Sequence, residues 1–166
     1  MSILKILTYP DPVLKQVAEP VEAFNSSLKK LISDMTDTMY EANGIGLAAP
    51  QVRVAKRVIV LDLSEERDKP MHLINPEIIW REGSEPSEEG CLSIPGFRDT
   101  ISRNAKVKVR AQDSLGQIFE LQADNLFAFC LQHEIDHLDG ILFIDRLSRL
   151  KKELFLKWFK KQGPLE

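Results

Sequence analysis

A chain of 166 residues can bury a sizeable core as one compact domain, and its two cysteines, Cys91 and Cys130, are too few for a secreted disulfide framework. Its 43% apolar and 28% charged residues and formal net charge of -3 are those of an ordinary soluble globular protein, with no sign of a DNA-binding surface. The opening stretch "MSILKILTYPDPVLKQ" is interrupted by Lys5 and broken by Pro10 and Pro12. It fits neither a signal peptide nor a membrane span, so a cytoplasmic location without membrane contact is expected.

In chain order, Leu28, Leu31, Ile32, Met35, Met39 and Tyr40 recur at helical spacing, predicting an amphipathic helix over 26–43 that Gly44 stops. The segment "GIGLAAPQ" at 44–51 lacks the preceding strand and third glycine of a dinucleotide fingerprint. It reads instead as a loop that exposes its backbone to an extended ligand and ends on the amide of Gln51, a donor suited to an oxyanion. Strands are predicted at "RVIVLDL", "HLINPEIIW", "AKVKVRAQD" and "QIFELQAD", the last two joined as a hairpin around "SLGQ". Residues 64–70, "SEERDKP", read as a polar connector, and "EEGCLSIPG" as a constrained turn rather than a regular strand. A second helix is predicted from a cap at Asp124 or Asn125 to Gly140. A third, basic helix starts at a Ser148 cap and carries Leu150, Leu154 and Trp158 four apart. The order of elements predicts one α+β domain over 1–166, a mainly antiparallel sheet with an N-terminal and a C-terminal helix.

That second helix contains "FCLQHEIDHLDG". His133 and His137 are one turn apart on one face, so both imidazoles can reach a single ion, with Glu134 beside them to move a proton. A hydrolytic site of this kind needs a third ligand and an open position. Six residues after the second histidine, where an extended protease pattern has another, stands Phe143. Cys130 is seven residues from His137, a rise of about 10.5 Å, too far for metal bonds of about 2.0–2.3 Å, and reads as a small buried residue beside the site. His72 stands alone before an apolar strand, and many carboxylates are available. Cys91, in its turn after Gly90, reads equally as a thiolate ligand and as a buried apolar cysteine.

Three segments together make the chain resemble the peptide deformylases: Gly44-Ile45-Gly46-Leu47-Ala48-Ala49-Pro50-Gln51, Glu89-Gly90-Cys91-Leu92-Ser93 and Gln132-His133-Glu134-Ile135-Asp136-His137. The resemblance runs from "ILTYPDPVLKQVAEPV" to the helix after "LFIDRL". It implies that Cys91, His133 and His137 bind the metal, making the second helix a central metal-binding helix. It also implies that Glu134 is the acid-base residue and that Gln51 and the Leu92 N–H stabilise the oxyanion. The implied metal is ferrous iron in the cell, replaceable by zinc, nickel or cobalt, and the implied substrate is the N-formylmethionyl end of nascent bacterial-type proteins. The peptide would lie extended along Ile45, Gly46 and Gly90, with its methionine against Leu126, Phe129 and Cys130. Phe129 is larger than the aliphatic residue common there in similar proteins. Glu89 and Arg103 resemble a pair that braces the cysteine segment. The basic run Arg149, Lys151, Lys152, Lys157, Lys160 and Lys161 reads as a solvated face or, by the resemblance, as a dock on the ribosome near the exit of the nascent chain.

Overall fold

A computed structural model describes residues 2–162; Met1 and residues 163–166 of the expected domain span lie outside the described residues. After a short 3-10 turn at Pro12–Lys15 comes helix α1 (Ser26–Glu41), capped by Asn25, whose side-chain oxygen accepts the Leu28 N–H at 3.2 Å. Leu28, Ile32, Met35 and Met39 form its buried face, as their spacing predicts, and the Gly44 N–H closes the end on the Met39 carbonyl at 2.9 Å. Then follow β1 (Gly46–Ala48), a 3-10 turn at Ala49–Val52, β2 (Val58–Leu61), β3 (Met71–Glu82), β4 (Glu85–Cys91), β5 (Ile94–Arg103), β6 (Lys106–Gln112) and β7 (Ile118–Asp124). Helix α2 (Asn125–Leu138), a 3-10 turn at Phe143–Arg146 and helix α3 (Arg149–Gln162) complete the order.

Five strands make one antiparallel sheet in the order β1-β2-β3-β6-β7, and β4 and β5 pair separately. With three α-helices this is the expected α+β architecture. Strand β2 is buried on both faces: Val58 and Val60 join the core under α1, while Ile59 and Leu61 join the core under α2. Alternation of side chains across the strand produces that division, and burial on both sides explains the unbroken apolar run. Ten residues of α2, from Ala128 and Cys130 to Leu138, are buried, and Ala128, Cys130, Leu131, Ile135 and Leu138 pack into the core on the sheet. The hairpin at "SLGQ" forms as predicted, with Gly116 at φ 86 and the Asp113 carboxylate accepting the Leu115 and Gln117 N–H groups. Among the described residues, no helix is long and apolar enough to cross a membrane.

Three expectations are corrected. The segment around Cys91 is not an isolated turn but the end of the β4–β5 hairpin, with Gly90 opposite Arg98 and Cys91 opposite Ile94. Its buried members mix the polar Ser87, Glu89, Ser93 and Arg103 with the apolar Ile94 and Ile101, so no apolar strand period is visible. Gly46–Ala48, read as loop, is a short strand paired with β2. On α3, the Ser148 hydroxyl caps the helix as expected, accepting the Lys151 N–H, but Leu150 and Leu154 are exposed. Phe155 is the fully buried residue, packed edge-on to Tyr9 and Phe97, because the partner surface is aromatic and selects the aromatic side of the helix.

Candidate active site

An open cleft of about 750 Å³ lies between β1, the β4–β5 hairpin and α2. Its lining includes Ile45, Gly46, Gln51, Gly90, Cys91, Leu92, Leu126, Phe129, Cys130, His133 and Glu134, so residues singled out from three distant segments meet there. His137 is buried beneath the cleft, its Nε2 3.4 Å from Cys91 Sγ. One donor atom each from Cys91, His133 and His137 lies within 4.8 Å of the others, a cluster able to hold a metal ion. Cys130 is outside it; the thiol is buried, 4.0 Å from the Ile45 carbonyl. Phe143, which interrupts the protease pattern, stacks on the His133 ring at 6.1 Å between centroids. His72 lies half-buried on β3, outside the cluster.

Several contacts fix the orientation of these groups. Gln51 Oε1 accepts the Ala48 N–H at 2.9 Å, which turns Nε2 toward Ser93 Oγ at 3.0 Å and Cys91 Sγ at 3.5 Å. The amide therefore presents its donor end to the cluster. Leu92 and Ser93 form the two-residue turn between β4 and β5, and the Ser93 N–H points to the Cys91 sulfur at 3.4 Å. His133 Nδ1 meets Glu89 Oε1 at 2.8 Å, which sets the ring so that Nε2 is available for a ligand.

Glu89 is itself held. Arg103 grips it with two hydrogen bonds of 2.8 Å and the Ser87 hydroxyl donates a third at 2.8 Å, so the pairing of Glu89 with Arg103 expected from sequence is present. Arg103 continues to Asp136 at 2.6 Å, and Asp136 to Arg146 at 2.6 and 2.8 Å. Ser87, Ser93, Asp136 and Arg146 were not singled out for these contacts. Asp136 offered one signal, standing three residues after His133 on the same helix.

Burial sets the charges. It pushes the Glu89 carboxyl up, but the Arg103 and His133 hydrogen bonds outweigh it and hold the group down at about 2. Burial pushes Glu134 up, opposed by His133 and reinforced by Glu89, to about 7. Glu134 Oε1 is buried without a hydrogen-bond partner among the described residues. Burial also drives His137 well below its ordinary value, leaving it a neutral imidazole. The site thus combines a thiol, two imidazoles, a carboxyl poised near neutrality and an oriented amide donor, a set suited to metal-assisted hydrolysis.

Residues 3–153 match the family model for polypeptide deformylase. A peptide deformylase of Chromobacterium violaceum is 52% identical over 162 residues, covering 98% of this chain and 97% of its own. One of Acidobacterium capsulatum is 54% identical over 163 residues, covering 97% and 96%. The crystal structure of a peptide deformylase from Legionella pneumophila superposes with a TM-score of 0.89 at 46% identity, covering 98% of this chain and 100% of that one. The family model spans most of the chain, and sequence and fold agree over nearly its whole length: this chain belongs to the polypeptide deformylase family.

Proposed function

We propose that this chain removes the formyl group from the N-terminal formylmethionine of newly synthesised proteins, releasing formate, and that Cys91, His133 and His137 hold the metal on which the family depends. The observation that carries the reading is the convergence of one thiol and two imidazoles at the floor of a cleft, with a buried carboxyl beside them. The donor set fits a divalent ion. Sulfur and nitrogen ligands of a tetrahedral ion stand about 3.5 Å apart, and Cys91 Sγ and His137 Nε2 are separated by 3.4 Å. A neutral His137 and one thiolate supply two ligand types and a single negative charge, and three protein ligands leave a position for substrate. When bound, the ion supplies Lewis acidity toward water and the formyl oxygen.

The chain's own groups do the rest. Glu134, raised to about 7 by burial, takes a proton from the attacking water and returns it to the departing amine, without which an amide nitrogen is a poor leaving group. Gln51 Nε2 and the Leu92 N–H meet the carbonyl oxygen as it gains negative charge. The backbone at Ile45, Gly46 and Gly90 receives the extended peptide, and Leu126, Phe129 and Cys130 wall the pocket for methionine. The bulk of Phe129 narrows that pocket relative to an aliphatic residue.

Ferrous iron is the metal we assign in the cell, with zinc, nickel or cobalt as replacements. Iron beside a thiolate predicts activity that decays in air while the fold persists and that nickel protects; an air-stable preparation containing zinc alone overturns the assignment. The chain works in the cytoplasm as one catalytic domain. The basic residues of α3 serve as the contact to the ribosome; charge reversal at Lys157, Lys160 and Lys161 should then abolish co-sedimentation with ribosomes, and unchanged co-sedimentation refutes that contact.

Formate release from formyl-Met peptides, measured alongside internal cleavage of the same peptides, tests the function. Formate without internal cleavage is expected; internal cleavage would instead make the chain an endopeptidase.

A further inference from the structure

The connector between β2 and β3 has no role in the chemistry above, yet it is tied directly to the cleft edge. Asp62, at the end of β2, is 1% exposed, and its N–H donates to the Ile45 carbonyl at 2.9 Å. Its carboxylate accepts the Tyr40 hydroxyl at 2.5 Å, the Ser64 hydroxyl at 2.6 Å, and the Ser64 and Lys69 N–H groups at 2.8 and 3.1 Å. Arg67 turns back over this node with φ 58, a left-handed conformation that arginine rarely adopts. Its Nη1 donates to the Asp62 carbonyl at 3.1 Å, its Nη2 to the Gly44 carbonyl, and its guanidinium lies 5.1 Å from the centre of the Tyr40 ring.

The carbonyls of Gly44 and Ile45 are therefore both held by one loop. That matters because β1 is three residues long and, among the described residues, β2 is its one strand partner, so its remaining edge faces the cleft. Gly44 has no side chain to anchor it and has many backbone conformations available. An edge that must accept an extended peptide needs its peptide planes fixed beforehand, and Arg67 fixes the first of them.

We propose that Arg67 is a positioning residue for the substrate, holding the Gly44–Gly46 edge extended through the Gly44 carbonyl. The inference rests on the reading that the substrate peptide pairs with Ile45 and Gly46. It links binding strength to a loop that contributes no group to the reacting atoms.

Two matched peptides separate the layers of the argument: formyl-Met-Ala-Ser, and the same peptide with methyl groups on its backbone nitrogens after formylmethionine. Wild-type protein should show a higher KM for the methylated peptide; equal KM values would defeat the pairing reading itself, and with it this inference. Given that difference, Arg67→Ala should raise KM for the unmodified peptide roughly tenfold, the worth of one charge-assisted hydrogen bond. It should change kcat far less, leave metal content intact and nearly abolish the discrimination between the two peptides. Equal effects on both peptides, or no effect on either, would overturn the role of Arg67 while leaving the pairing reading standing. If Arg67→Ala does not fold, Arg67→Gln, measured the same way, decides between the same outcomes.

Discussion

A methyl group on Gly46 would lie 2.4 Å from Glu134 Oε2, so residue 46 has room for hydrogen alone beside that carboxyl. Gly46→Ala must displace that carboxyl, because the methyl sits on a short strand and cannot turn aside. A shift of about 1 Å in a catalytic group costs about a hundredfold in rate. The expected result is a fall of that order in kcat with metal content unchanged, measured by formate release and elemental analysis. An unchanged kcat would mean that Glu134 does not act from where it stands.

Removing the carboxyl's charge and removing a ligand should fail in different ways. Glu134→Gln keeps the three donors and should lose roughly 10²–10⁴-fold in kcat, the usual contribution of general acid-base catalysis. Cys91→Ala should lose the metal itself, with secondary structure retained by circular dichroism. Full activity in metal-loaded Glu134→Gln protein would remove Glu134 from the mechanism.

Arg103 is a stability residue as much as a site residue. Its side chain is 3% exposed and lies between Glu89 and Asp136, both largely buried. Arg103→Met leaves Glu89 without its fork and Asp136 with Arg146 alone. Breaking a buried pair from one side costs about 3–5 kcal/mol, so urea denaturation should show a drop of that order. A change below about 1 kcal/mol, the range of surface pairs, would contradict the buried network.

Acid should weaken the protein through Asp62. Burial pushes its carboxyl up, but hydrogen bonds from Ser64, Tyr40 and Lys69 outweigh this and hold it at about 2, below its ordinary 3.8. Between those values the unfolded chain binds more protons than the folded one, so this contribution is complete above about pH 4 and is lost as pH falls toward 2. Thermal melts across that window should show the loss, and Asp62→Asn should flatten the slope there.

The sequence was most legible where chemistry demands rare residues. His133, Glu134 and His137 follow from helical spacing, and Cys91 and Gln51 from their segments and the family resemblance; all but His137 line one cleft, and His137 lies directly under it. The fold was legible where burial follows a period, as in α1 and β2. It was obscure in the β4–β5 hairpin, whose buried positions mix Ser87, Glu89 and Arg103 with Ile94 and Ile101. The α3 spacing of Leu150, Leu154 and Trp158 was real, but spacing identifies a face without saying what covers it, and the aromatic surface of Tyr9, Phe97 and Phe143 settled the choice for Phe155. Arg103 reaches Asp136 across 33 residues and Arg67 reaches Gly44 across 23, contacts that no local spacing marks.

Cys91 ends the β4 strand of the small hairpin, whereas His133 and His137 belong to the helix buried on the large sheet. An ion gripping all three is therefore a cross-link between two separately built halves of the cleft, closing a long loop of chain as a disulfide would. Chelation should lower the melting temperature, and hydrogen exchange should quicken first in residues 85–103, the half that loses its rivet. Exchange quickening evenly over the chain would show that the hairpin is held without it.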